Sequence, residues 1–439
     1  MNKRVIFHIN KLYINENVRD IVQKVKLKQQ RCSFSFVRYF SGLVGNKDKY
    51  GDVETPIFRP KRVVILSRIT RYEFEKIRYK DAAEDQFKAK MQRKRSDYQT
   101  LLERHLKHYS CVENMTKLLN ENGIETKVVK RPQYTKEVLD WADAVITAGG
   151  DGTFLDAASK ILTVDMPIIG LNTDPDRSEG QLCLSKEKYS ALHFDKVLNL
   201  LLNGDFRWKW RQRIRITMSG YHASDNPIEL SDQQLHYLEH RYTEHVAENE
   251  VCSRPLFMKG FSHTRVLPVR ALNEVYLGEC LSSRVSYYEF SVDGSPSVKE
   301  KSSGVTVCTG TGSTSWHFHI NQLTPESVQD ILNIANMEGQ CCYPTSDNDY
   351  VETVTRAFNN SLIFDPSEPY MGYTVRDPIV NGVFQVPSPR GKAKRLVVGS
   401  RMWDASLVLD GGCSFRFNDG AIATMEIFPE DALRTVQLD

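Results

Sequence analysis

The sequence predicts an α/β fold joined to a second, β-rich one. Three observations carry this. From residue 62 to 171, β-branched apolar runs alternate with segments of helical spacing; beyond about residue 205, short stretches alternate apolar and polar side chains; and Gly149, Gly150 and Gly152 surround an aspartate where an early strand hands over to a helix. Taken in order, Arg62 to Ser67 follows Pro60 and reads as a buried first strand. The polar stretch from Ala82 to Asn122 carries Phe87, Met91, Leu102, Leu106, Met115 and Leu119 near helical spacing, with Gly123 as its stop. Then come a strand (124–129), a short helix (138–142), a strand (144–147), the glycine turn, a helix (154–162) and a strand (168–171) introduced by Pro167. That alternation predicts a largely parallel sheet over residues 60–204.

Residues 205–414 form the second domain in this reading, with strands at 213–218, 272–277, 287–292, 304–308, 396–400 and 407–410. Polar, His-rich residues 219–264 and helix-spaced residues 324–360 are expected to be insertions at loops.

Composition narrows the function. The chain has 439 residues, 41% apolar and 26% charged, enough for two or three domains with cores of their own. No stretch approaches the roughly 18 uninterrupted apolar residues of a membrane-spanning helix, so no membrane insertion is expected. Basic and acidic residues number 58 and 55 and nearly cancel, which gives no reason to expect a nucleic-acid partner. The nine cysteines show no CxxC pair, and free thiols are expected. Residues 1–46 are rich in Lys and Arg against only Glu16 and Asp20, interleaved with apolar residues, as in a mitochondrial presequence; Arg38-Tyr39-Phe40-Ser41 suits processing in the matrix.

The most informative segment is Thr147-Ala148-Gly149-Gly150-Asp151-Gly152-Thr153-Phe154. A loop at the carboxyl end of a strand in an α/β sheet is where ligands bind, and the following helix offers free N–H groups to phosphate. An aspartate there repels phosphate unless a divalent cation or a proton-transfer role compensates, and phosphoryl transfer supplies both. A plain turn with Asp151 capping the helix fits the same residues. The loop is neither GxxxxGK[ST] nor GxGxxG, which disfavours those nucleotide folds. His236, His240 and His245 are read as a solvated insertion rather than a zinc site, because no HExxH pattern or cysteine pair completes a ligand set.

GGDGT after a strand resembles the superfamily joining NAD kinases, diacylglycerol-type lipid kinases and 6-phosphofructokinases. Leu272-Asn273-Glu274 is similar to the NE motif of NAD kinases, and Thr309-Gly310-Thr311-Gly312-Ser313-Thr314-Ser315-Trp316 to their TPTGSTAY segment. The resemblance runs from about residue 60 to the end, and Asn172–Gly180 and the late WDA and FNDGAIA segments resemble the animal mitochondrial branch. It implies a Rossmann-like nucleotide-binding domain completed by residues 415–439, a β-sandwich-like partner, and transfer of the ATP γ-phosphate to the 2′-hydroxyl on the adenosine ribose of NAD. Asp151 would be the general base, and Gly149, Gly150, Gly152 and Thr153 would hold the ATP phosphates. Mg²⁺ would ride chiefly on those phosphates and touch Asp151.

Asn273 and Glu274 are implied as ligands of the ribose and carboxamide region of NAD, though such a pair in a strand also reads as a solvated edge. Thr311, Ser313, Thr314 and Ser315 would line adenine and ribose, with Trp316 stacked on adenine. Asp410 resembles a late family aspartate near the nucleotide and reads equally as a β-turn. The resemblance also implies a homodimer. Two departures stand out: the family's glycine-rich GxNxGxLGFL is here the charged stretch from Gly170 to Gly180, and RGDG is here Lys301-Ser302-Ser303-Gly304, without its acid. A GGDGT-type lipid kinase and a catalytically silent dinucleotide sensor are the rival readings.

Overall fold

Strands that read as near-continuous apolar runs need cover on both faces, and the first sheet has it. In the computed structural model, which describes residues 57–189, 191–236, 263–339, 343–380 and 388–438, Arg62–Ser67, Ala144–Ala148 and Pro167–Leu171 are buried almost throughout. They pair in parallel, flanked by Glu125–Val129 on one side and Leu433–Gln437 on the other, with Arg207–Arg211 antiparallel at the far edge. The register sets Ser67 beside Ala148 and Ala148 beside Leu171. Their carboxyl ends therefore make one rim, where the loops of interest emerge.

Helix Tyr98–Glu121, capped by the Asp97 side chain, buries Cys111, Val112, Met115 and Leu119 on one face of this sheet with helix Phe194–Asn203. Helix Asp151–Lys160 packs Phe154, Ala157 and Ala158 on the other. Helix Arg71–Arg78 lies outside the expected elements. Its charged composition hides the pattern, yet Thr70 and Glu73 form a reciprocal capping box.

Two antiparallel sheets make the β-rich part. The six-stranded one includes Ile214–Gly220, Ser286–Val292, Arg395–Ser400 and Ile422–Ile427; the seven-stranded one includes Glu274–Glu279, Val305–Cys308, Met371–Val375, Ala405–Leu409 and Cys413–Arg416. Ile216, Met218, Leu396 and Met425 of the first share one core with Val275, Leu277, Val305 and Leu407 of the second, as in a sandwich. The return to the parallel sheet comes later than residue 415: Cys413–Arg416 and Ile422–Ile427 stay in the antiparallel sheets, and only Leu433–Gln437 goes back. Likewise Arg207–Arg211, beyond residue 204, belongs to the first sheet. The stretch expected as an insertion at 324–360 holds helix Pro325–Glu338 and all but the last residue of helix Asn348–Ser361.

No helix among the described residues is long and apolar enough to cross a membrane. Among the described residues, Cys111, Cys183, Cys280, Cys308 and Cys413 form no disulfide. Residues 1–46, His240, His245 and the side chain of His236 lie outside what is described.

Candidate active site

Close backbone approach explains the glycines of the GGDGT loop. A Cβ on Gly149 would stand 2.3 Å from Thr153 Oγ1, and one on Gly150 would stand 2.5 Å from Ser178 Oγ. Gly152 is different, because a Cβ there meets nothing within 4 Å. Gly150 is the N-cap of helix Asp151–Lys160 and offers no side chain, so no side-chain oxygen caps the Asp151 and Gly152 N–H groups, while those of Thr153 and Phe154 donate to the Gly150 carbonyl (3.0 and 3.2 Å). Asp151 does not cap this helix. Its Oδ1 accepts from the Leu182 N–H (2.7 Å) and its Oδ2 from that of Gln181 (3.1 Å), which aims the carboxylate along the loop leaving Gly180.

In front of the helix lies a cleft of about 370 Å³ lined by Ser67, Arg68, Arg131, Gly150, Gly152 and Thr153 among others. Its floor is a polar network that the sequence did not reveal. Lys130 Nζ donates to Ser67 Oγ, the Arg68 carbonyl and Glu73 Oε2 at 3.3, 2.9 and 3.2 Å. The fully buried His108 bonds Ser67 through Nε2 (2.9 Å) and Thr173 through Nδ1 (3.0 Å). Burial, then the nearby Arg68 and Lys130 charges, pushes its pKa down to about 3, so the ring is neutral at physiological pH. Burial likewise pulls Lys130 below the usual lysine range, partly offset by Glu73. Arg131 is held by Asp232 (3.1 Å) and Asp156 (3.4 Å), and burial raises the Asp156 pKa to about 6 despite that arginine.

The NE segment is held differently. Asp410, in the left-handed region at φ +49°, accepts from the Leu272, Asn273 and Glu274 N–H groups at 2.8, 2.8 and 2.9 Å. Both of its oxygens are thereby used, and its part is to shape the segment. Burial lifts its pKa to about 6 against the pull of those three bonds. The Asn273 side-chain oxygen and Glu274 Oε2 are buried with no protein partner. Unpaired buried acceptors are rare in folded proteins, and each of these marks a place where a bound molecule can supply the missing partner. Burial first, then the Asp410 charge, pushes the Glu274 pKa up to about 8.

The TGTGST loop closes over this segment. A Cβ on Gly312 would stand 2.0 Å from the Asn273 carbonyl oxygen, and one on Gly310 would stand 2.0 Å from that of Asp365. Ser313 is fully buried and its hydroxyl donates to the Gly310 carbonyl (2.7 Å), while Thr314 Oγ1 donates to that of Thr311 (3.3 Å). Thr311 Oγ1 accepts from Arg211, and Ser315 Oγ accepts from Asn273 Nδ2 at 3.5 Å. Trp316, 37% exposed, has the Tyr276 ring 5.5 Å away and the Arg376 guanidinium over its face at 5.2 Å.

The two halves abut. Leu272 packs into the core of Phe154, Ala157 and Ala158, and the Arg270 N–H donates to the Ser159 carbonyl. Asp156 lies 3.5 Å from where a Gly412 Cβ would be. The GGDGT helix and the Asn273-Glu274 turn are thus neighbours. Of the functional candidates, Arg68, Lys130 and His108 were missed. The available signal was position alone, since Arg68 directly follows the carboxyl end of a buried parallel strand.

A parallel sheet ending in a glycine-bounded helix N-terminus, beside a β-rich half with buried unpaired acceptors, has the architecture of a nucleotide-dependent phosphotransferase of the GGDGT class. Residues 43–206 match the family described as ATP-NAD kinase N-terminal domain. The chain is 47% identical over 388 residues to the NAD kinase 2, mitochondrial, of Rattus norvegicus, covering 87% of this chain and 88% of the relative. For the Homo sapiens protein of that name the figures are 47%, 87% and 85%, and for that of Xenopus tropicalis 44%, 87% and 92%. The crystal structure of an NAD kinase from Archaeoglobus fulgidus in complex with ATP aligns over 86% of this chain and 93% of its own, at 15% identity and a TM-score of 0.45. The chain belongs to the NAD kinase family.

Proposed function

We propose that this protein transfers the γ-phosphate of ATP to the 2′-hydroxyl on the adenosine ribose of NAD, giving NADP, and that it does so in the mitochondrial matrix. The observation that carries the chemistry is a helix that begins at a glycine loop and packs, through Phe154, Ala157 and Ala158, against Leu272, the residue before the buried, unpaired Asn273 and Glu274 oxygens. The first suits phosphates, the second the hydroxyl and amide donors of a nucleoside. The basic, acid-poor residues 1–46 and the mitochondrial relatives support the location.

In this reading Asp151 accepts the 2′-hydroxyl proton as the oxygen bonds to phosphorus and the bond to the departing ADP breaks. Its two backbone N–H bonds fix the direction of the carboxylate and leave lone pairs free. Gly149 and Gly150 shape the loop, while Gly152 and Thr153 face the phosphates. Asp410 holds the Asn273-Glu274 turn, Thr311 and Ser315 border the adenosine with Trp316 beside it, and Ser313 and Thr314 keep the shape of their loop.

Among the described residues no group of three or more His, Cys, Asp or Glu side chains is arranged to hold a metal. The single Asp151 carboxylate beside the glycine loop fits Mg²⁺ carried on ATP, which keeps most of its waters and takes one or two carboxylates. Bound there, the ion would neutralise phosphate charge. We also expect a homodimer, to be checked by light scattering.

The test is Asp151→Asn, assayed with labelled ATP against NAD and, separately, diacylglycerol. Turnover on NAD should fall by about 10²–10⁴-fold with NAD affinity nearly unchanged. Undiminished turnover would remove Asp151 from the mechanism; label in the lipid would favour a lipid kinase, and NAD binding without phosphate transfer by the unaltered protein a silent sensor.

A further inference from the structure

Two arginines line the cleft before the GGDGT helix, and they differ in what they have left to give. Arg131 is spent on Asp156 and Asp232. Arg68 has one carboxylate contact, Nη2 to Asp174 at 3.3 Å, and its buried Nε has no partner. Its backbone is rigidly placed: the N–H donates to the Ala148 carbonyl (3.0 Å), the carbonyl accepts from Lys130, and Cβ stands 3.2 Å from where a Gly149 Cβ would be. Asp174 is fixed too. Its N–H donates to Asn172 Oδ1 (3.0 Å), and its carbonyl accepts from the Arg177 and Ser178 N–H groups.

We propose that Arg68 is the cation that receives the triphosphate of the nucleotide donor, and that Asp174 sets donor affinity by holding Arg68 in the ligand-free protein. This rests on the assignment of the cleft to ATP. A guanidinium presents several N–H donors in a plane matched to phosphate oxygens, and only part of that set is used on Asp174. The long Arg68 side chain can turn while Asp174 is tied into its turn by three hydrogen bonds to its backbone N–H and carbonyl, so exchange of carboxylate for phosphate moves only the arginine. Asp174 competes with the ligand for that cation and adds its own repulsion, so the free protein binds donor more weakly than an unencumbered arginine would. Asp174 belongs to the charged stretch that follows the strand Pro167–Leu171 at the rim of the parallel sheet.

The two residues predict opposite signs. With Mg²⁺ and saturating NAD present, calorimetry with a non-hydrolysable ATP analogue should show Arg68→Gln weakening binding about 10–100-fold and Asp174→Asn tightening it about 3–10-fold. In the Arg68→Gln background, Asp174→Asn should change affinity by less than about twofold. Melting temperature and NAD affinity, measured on the same samples, report folding, and Arg68→Lys gives an intermediate loss if the fork geometry matters. A purely structural brace would weaken donor binding in both single variants, so weaker binding by Asp174→Asn, or unchanged binding by Arg68→Gln, overturns the inference alone. If the unaltered protein bound no ATP analogue yet phosphorylated NAD from polyphosphate, the assignment of the cleft to ATP would fall with it.

Discussion

Asp410 tests whether the Asn273-Glu274 turn is held by one carboxylate. Replacing it by Asn preserves size and tolerates the positive φ of +49°. An amide has only one acceptor, however. If its oxygen keeps the Asn273 and Glu274 N–H groups, its NH₂ faces the Leu272 N–H, which Oδ2 accepts at 2.8 Å. One charge-assisted bond is lost and two donors oppose each other, a cost of about 2–3 kcal/mol. Part of this is returned, because burial already disfavours the charge and raises the Asp410 pKa to about 6, and because Glu274 loses a repelling neighbour. Asp410→Asn should therefore cost about 1–2 kcal/mol. Asp410→Ala leaves three buried donors unpaired and puts a Cβ-bearing residue without a polar side chain at positive φ, so about 4–6 kcal/mol is expected. Urea unfolding with and without NAD measures this, and the NAD KM should rise about tenfold in the Asn variant, with kcat at saturation changed far less. Wild-type stability and KM in both variants would refute the anchoring role. Loss of kcat with NAD affinity intact would instead put Asp410 at the reacting atoms.

The other predictions follow from the same geometry. Gly149→Ala, whose methyl would stand 2.3 Å from Thr153 Oγ1, should lower the melting temperature, whereas Gly152→Ala, which meets no protein atom within 4 Å, should melt as wild type but show a raised ATP KM. A steady-state ATP KM at wild-type value in Gly152→Ala would mean that phosphate does not pass there. Glu274 holds its proton to about pH 8 in the fold against 4.5 for the ordinary group, so its contribution to stability is lost as pH rises through that window. At about 1.36 kcal/mol per pKa unit, Glu274→Gln should gain about 2 kcal/mol or more on wild type at pH 9 and nothing below about pH 4, as read by urea midpoints across pH.

Much of the site was legible because its chemistry is local. GGDGT between a strand and a helix is a contiguous pattern, and Asn273-Glu274 and Thr309–Trp316 lie at the ends of strands whose alternation is plain. What could not be read is whatever pairing across the sequence creates. Ser67, His108 and Thr173 meet only because a helix covers the sheet that sets strands 62–67 and 167–171 two places apart. Side-chain direction was equally hidden: Ser313 and Thr314 sit in a loop so tight that their hydroxyls satisfy its carbonyls, and both readings of Asp410, turn and site, hold together because the turn supports the site. The capping box of Thr70 and Glu73 was available as a signal, in a helix whose apolar pattern is too sparse to declare it.

The two ends of helix Asp151–Lys160 are treated oppositely, and this bears on how the cleft can move. Its amino end has no side-chain cap. At its carboxyl end the carbonyls of Ala158 and Ile161 accept from Arg213, a fully buried guanidinium whose Nε also donates to the Asp431 carbonyl. Burial drags the Arg213 pKa down to about 9, so it remains charged at physiological pH and complements the negative end of the helix dipole. Arg270, in ion-pair contact with Asp431 at 2.9 Å, ties the same junction to the segment that leads into Asn273. Opening the cleft by rotating the β-rich half about this junction would strand a buried charge, at a cost of about 3–5 kcal/mol. Rearrangement on binding therefore falls to side chains and loops at the rim, and the distance between phosphate donor and ribose acceptor is set by the packed junction beneath them.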